Sequence, residues 1–121
     1  MKFAWLMDKR FFIQAGKIQR ENPVILNPDG HWEKQRYRPD CQYRCAAFAK
    51  MGAMAFSYDL FAWGESLLQF KAEDHRRSLA MTIQALGSIR ILDYLLAQKD
   101  ADTNRVAITG GSGRRKPHRV E

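Results

Sequence analysis

The sequence predicts an α/β protein with a parallel sheet of about three core strands joined by crossover helices. Short continuous apolar runs recur at Val24-Ile25-Leu26, at residues 53–58 and at residues 105–109, the form expected of strands buried on both faces. Helical periodicity fills both intervals between these runs. Strand, helix, strand, helix, strand is the order of consecutive crossover units, which are right-handed in a parallel sheet.

Each element has its own punctuation. Residues 1–22 carry no decisive pattern: Phe11-Phe12-Ile13 reads as a strand remnant and residues 16–22 as a polar turn. After Val24-Ile25-Leu26 come four turn formers in a row, Asn27-Pro28-Asp29-Gly30. A helix is expected over 40–50, with Asp40 as N-cap and Gly52 as stop. The second strand ends at Asp59, where a loop runs through Gly64-Glu65-Ser66. The longest helix is expected over 76–98, with Leu79, Ile83, Leu86, Ile89, Leu92 and Leu96 as its apolar stripe. Gly87 in its middle suits a close approach of another backbone. Polar residues 100–104 end that helix, and Gly110-Gly111-Ser112-Gly113 follows the third strand without a gap.

Composition narrows the function classes. The chain's 121 residues make one domain, and 45% hydrophobic content is ordinary for a globular protein. No stretch reaches the roughly 18–20 apolar residues that cross a bilayer, so no membrane partner is expected. The apolar start is cut off by Asp8-Lys9-Arg10 too early for a signal peptide, which makes the cytoplasm the default compartment. The net charge is +7, but residues 114–121 contribute four positive charges and one negative, leaving the remainder at +4. A basic tail on a nearly ordinary body argues against nucleic acid as the partner. Cys41 and Cys45 share one helix face and read as small buried hydrophobes, because no further ligands at zinc-like spacing accompany them. No metal and no cofactor is expected.

In open parallel sheets, ligands sit at the carboxyl ends of the strands. Three segments arrive there: residues 27–32, 59–66 and 110–113. A serine directly between a strand and an expected helix, with glycines around it, fits a nucleophile elbow. Only glycine-sized neighbours let strand and helix come close enough for the hydroxyl to project from the sheet edge. The N–H of Gly113 would then point where an oxyanion forms. The same glycine-rich turn also opens phosphate loops, but the Gly-Lys-Ser/Thr of that pattern is missing and a dinucleotide fingerprint fits poorly.

Taken together the motifs resemble the α/β-hydrolase superfamily. Residues 23–32 (PVILNPDGHW) look like its first core strand and oxyanion loop, with Asp29 where the family often has His. Residues 58–66 look like its Asp-x-x-Gly-x-Gly-x-Ser loop, and residues 105–113 (RVAITGGSG) like its nucleophile strand. Within the superfamily the chain is most similar to acetylxylan-esterase-type carbohydrate esterases. The resemblance implies an incomplete α/β-hydrolase domain over 23–113 and a carboxylic ester hydrolase of the acetyl or carbohydrate type. Ser112 would be the nucleophile, and oxyanion donors would come from Gly113 and the Gly30-His31-Trp32 loop. The substrate of a full-length relative would be a small ester or an acetylated carbohydrate.

The pattern breaks after Gly113. The family order is Ser, then Asp or Glu, then His on later strands, and only nine residues follow Ser112. Arg114 stands where the motif wants glycine, and Arg115-Lys116-Pro117-His118-Arg119 suits a disordered basic tail over 114–121 better than a buried helix. A one-base change of frame after Gly113 would restore a glycine-rich continuation, so a truncated reading is expected. The chain alone is expected to show no or barely detectable esterase activity. Its uncovered sheet edge is an expected site of self-association. His31 reads as a loop residue lining the pocket rather than a base, His75 as solvated, Trp32 and Trp63 as pocket or packing residues, and Asp59 as a brace for its own loop. The alternative from a different class is a small module that binds nucleic acid or another polyanion through Arg114, Arg115, Lys116 and Arg119.

Overall fold

A computed structural model of the protein describes residues 21–110. Within them lies a three-stranded parallel sheet, β1 (Asn22–Pro28), β2 (Met54–Tyr58) and β3 (Ala101–Ile108). The spatial order is β2-β1-β3. α1 (Pro39–Lys50) connects β1 to β2, and α2 (Ala80–Leu96) lies between β2 and β3. Val24, Leu26, Met54 and Phe56 pack with Ile91 and Leu95 of α2 in the main core. Alternation along the strands sends Asn27 and Ser57 to the opposite face, where they meet Cys41 and Cys45 of α1. The central strand is thus covered on both faces, which is why its apolar run is continuous.

β3 begins four residues before the expected position. Asn22 and Pro23 pair with Ala101 and Asp102, and the register then jumps so that Val24 pairs with Val106. Residues 103–105 form the bulge. Proline has no N–H for a ladder, and in a central strand it is tolerated at such an irregularity. The buried Asp102 closes the bulge by accepting the Asn104 N–H at 2.9 Å and a bond from the Arg105 side chain. The Arg105 contact, followed by the Asn104 bond, holds the Asp102 carboxyl below the usual range. Polar residues that suggest a helix end are therefore part of the strand.

Two helix boundaries also differ. α1 starts at Pro39, with Arg38 as an extended N-cap that makes no side-chain cap bond. Proline suits a first turn, where its missing N–H costs nothing. Asp40 is consequently inside the first turn, paired with Arg38 at 2.7 Å, rather than the cap. The helix expected over 76–98 is shorter: α2 starts at Ala80 and ends at Leu96, and a separate 3-10 helix, Ala72–Arg76, precedes it. Its buried positions are Ala80, Ile91 and Leu95, while Leu79, Leu86 and Ile89 of the expected stripe are exposed. The sheet-facing side instead passes through Gly87 and Ser88, both half-buried, and Ser88 Oγ meets the Tyr58 hydroxyl at 2.7 Å. That hydroxyl contact, with Ile91 and Leu95 in the core, marks the face α2 turns to the sheet.

α2 covers β1 and β2 but leaves much of β3 bare: Val106 is 42% and Ile108 65% exposed. Among the described residues β3 pairs only with β1, so the third strand lies at a sheet edge. No described helix is long and apolar enough to cross a membrane.

Candidate active site

The strand order changes direction between β1 and β3, and in open α/β sheets ligands bind outside the carboxyl ends of strands at such a switch point. The two exits there are in direct contact. Thr109 donates its N–H to the Leu26 carbonyl at 2.8 Å, and a Cβ on Gly110 would stand 2.2 Å from the Pro28 carbonyl oxygen. Only glycine fits at that approach. Ser112 and Gly113, the expected nucleophile and oxyanion donor, lie outside the described residues, as do residues 1–20 and 111–121.

The loop after β1 is held by side chains from three directions. Asp29, buried, accepts the Gly30 N–H at 2.9 Å and pairs with Arg38 at 3.2 Å. The Arg38 guanidinium stacks on the Trp32 ring, 4.4 Å from its centroid. Trp32 N–H turns back to the Gly30 carbonyl at 2.9 Å. Gly30 and Trp32 therefore both spend their amide hydrogens inside the loop. Gly30 is buried, and His31 and Trp32 are exposed.

Gln35 is the staple beneath this loop. Fully buried at 1% exposure and held at φ +47°, it donates Nε2 to the carbonyls of Gly30 and Trp32, each at 2.7 Å. Its Oε1 accepts the Leu60 N–H at 3.3 Å, which ties the first loop to the second. Arg36 continues the connection by pairing with Asp59 and Glu65. Burial works to lower the Arg36 pKa, and the Asp59 charge with bonds from Glu65 and Asp59 reverses this and holds it above the ordinary value. Asp59 also accepts the Glu65 N–H at 2.9 Å, and a Cβ on Gly64 (φ +58°) would come within 2.6 Å of its carboxylate. Asp59 is thus the brace of the second loop. Gln35 and Arg36 went unnoticed in the sequence because neither belongs to a motif, and a positive φ at glutamine has no sequence signal.

His31 and His75 meet across the same gap. Their Nε2 atoms are 2.6 Å apart, and the Trp63 ring lies edge-on to His31 with centroids 5.6 Å apart. His75 is half-buried and bound, not solvated. Trp63 donates Nε1 to the Trp32 carbonyl at 3.1 Å. An open cleft of about 600 Å³ lies beside these loops, lined by Glu33, Tyr37, Asp59, Trp63, Glu65 and Leu67 among others. Trp63 borders this cleft; Trp32 carries Arg38 instead.

Compared with protein-family models, with curated proteins and with solved structures, the chain has no match. What it can do rests on its own residues.

On the other side of β1, Asn27 donates Nδ2 to the sulfurs of both Cys41 and Cys45 at 3.3 Å, and Ser57 Oγ lies 3.0 Å from Cys41. Arg44 Nε donates to Asn27 Oδ1 at 3.0 Å. Both thiols are free and buried. No group of three or more His, Cys, Asp or Glu is gathered for a metal among the described residues.

Proposed function

We propose that this chain carries the nucleophile strand and oxyanion loop of a serine carboxylic ester hydrolase of the acetyl or carbohydrate esterase type. The observation that carries the reading is the contact of Gly110 with Pro28 at the switch point. Ser112 is two residues along the chain from Gly110, a reach of at most about 7 Å. Gly30 is likewise two residues from Pro28. The proposed nucleophile and the proposed oxyanion loop thus start from one point.

The chemistry follows from those roles. The Ser112 hydroxyl attacks an ester carbonyl while a base takes its proton, and the carbonyl oxygen becomes an oxyanion. Gly113 N–H and an amide of the Gly30-His31-Trp32 loop hold that charge, each such donor being worth about 10²–10³-fold in rate. Collapse expels the alcohol and leaves an acyl-serine for water to hydrolyse. For Gly30 or Trp32 to serve as donor, its bond to Asp29 or to the Gly30 carbonyl has to open first. The cleft at Trp63 and Tyr37 supports a small ester on a sugar, since an aromatic ring beside carboxylates suits a hydroxylated ring's apolar face and edge.

Prolonged exposure to a fluorophosphonate, with the adduct located by mass spectrometry, tests this reading. Label on Ser112 that disappears in Ser112→Ala is the expected result. Adducts on other hydroxyls with none on Ser112 would overturn it.

A further inference from the structure

We propose that His31 and His75 form a binding site for one divalent transition-metal ion of the imidazole-preferring kind, such as Zn²⁺ or Cu²⁺. The site would bridge the loop after β1 and the segment after β2, and it does not depend on the esterase reading.

The argument begins with a tautomer. His75 Nδ1 lies 2.5 Å from the Phe61 carbonyl oxygen. A carbonyl only accepts, so Nδ1 carries the hydrogen and the neutral ring presents a lone pair at Nε2. That lone pair faces His31 Nε2 at 2.6 Å, where His31 must be the donor when no ion is bound. A backbone carbonyl that fixes one ring nitrogen and leaves the other as a base is the usual support of a metal-binding histidine. His75 is therefore already oriented as a ligand.

The second ligand needs a shift of under about 1 Å. The two rings are nearly perpendicular, 76° apart, with centroids at 4.7 Å. At a metal–nitrogen distance near 2.0–2.1 Å and a tetrahedral angle, two nitrogen ligands of one ion stand about 3.3 Å apart. The present 2.6 Å separation has to widen by about 0.7 Å, with the two rings turning so that both lone pairs converge on the ion. His31 sits on the exposed side of the loop after β1, and with its hydrogen on Nδ1 rather than Nε2 its neutral ring offers a second lone pair. Both imidazoles then offer Nε2 lone pairs to one ion, and water completes the coordination. Imidazole pairs select Zn²⁺, Cu²⁺ or Ni²⁺ over Mg²⁺ and Ca²⁺, and Cu²⁺ binds most tightly. The Trp63 ring, 5.3 Å from His75 and 5.6 Å from His31, flanks the pair, so Cu²⁺ should quench its fluorescence.

Titration of the whole chain with ZnCl₂ and CuCl₂ by calorimetry, beside ¹⁵N spectra of the imidazole rings, tests the proposal. One ion per chain is expected, with Nε2 resonances of both His31 and His75 moving as Zn²⁺ is added. His31→Gln and His75→Gln should each weaken binding at least tenfold. Cys41→Ser with Cys45→Ser, and separately His118→Gln, should leave it unchanged. Binding that survives both histidine variants, that vanishes with the cysteines, or that moves neither ring in the unaltered chain would overturn it.

Discussion

Gly110 is packed against the Pro28 carbonyl so closely that a methyl group there would stand 2.2 Å from its oxygen. That distance is well inside van der Waals contact, and the atom it meets is backbone, which cannot swing aside. Gly110→Ala should separate the exits of β1 and β3 and cost about 1–3 kcal/mol, the range for overpacking. A urea midpoint equal to that of the unaltered protein would show that the two exits do not meet.

Gln35 joins the two loops with one side chain, and its loss should be felt at both. Gln35→Leu keeps the volume but removes bonds to Gly30, Trp32 and Leu60. The Leu60 N–H then loses its acceptor, while the Gly30 and Trp32 carbonyls keep their bonds from the Trp32 N–H and from Trp63 Nε1. The loss is about 1–3 kcal/mol. Hydrogen exchange at the Leu60 amide should accelerate in the same variant, and an unchanged rate there would contradict the staple.

The thiol pair makes stability depend on pH. In the folded protein the hydrogen bond from Cys45 holds the Cys41 thiol down to about 6, with Ser57 helping and burial opposing. The same bond, and burial with it, pushes the Cys45 thiol up. An unfolded thiol titrates near 8.5. Folding therefore gains from the Cys41 thiolate as pH rises from about 6 to about 8.5, and above that range Cys45 reverses the trend. Unfolding midpoints compared with those of Cys41→Ser isolate the thiol pair, because Cys45 loses its Cys41 partner in the same variant and groups away from the pair cancel in the difference. A flat difference between pH 6 and 8.5 would contradict it.

β3 offers unpaired backbone and exposed Val106 and Ile108 on a sheet edge among the described residues. Such an edge templates pairing with a second copy, and charged side chains block it. Light scattering should show mass rising with concentration for the unaltered chain. Val106→Lys with Ile108→Lys should abolish that rise. A unaltered chain that stays monomeric at high concentration removes the expectation.

Much of this architecture was legible in advance. Three continuous apolar runs and two helical intervals mark a parallel α/β sheet, and for β1 and β2 the reason is burial. The run in β3 predicts burial on both faces as well, yet residues 103–108 are exposed. The glycines after β3 predict room for a turn at Ser112; what Gly110 shows is a close approach to the Pro28 carbonyl across the sheet. Local chemistry was less informative at helix ends: Pro39 starts α1 and displaces Asp40 from the cap. Half of the apolar stripe of α2 packs inward, Ile83, Leu92 and Leu96, while Leu79, Leu86 and Ile89 are exposed because the helix is apolar on more than one side.

The sequence by itself determined the element types, their order and the glycine-lined strand exit, because periodicity and steric size act over a few neighbouring residues. Only the tertiary structure decided the bulge at 103–105, the buried side of α2, the Gln35 and Asp59 bracing and the meeting of His31 with His75. These join residues from 3 to 44 positions apart along the chain for side-chain contacts, and register across a sheet is set by which partners pack. No pattern within one segment encodes the distance to another.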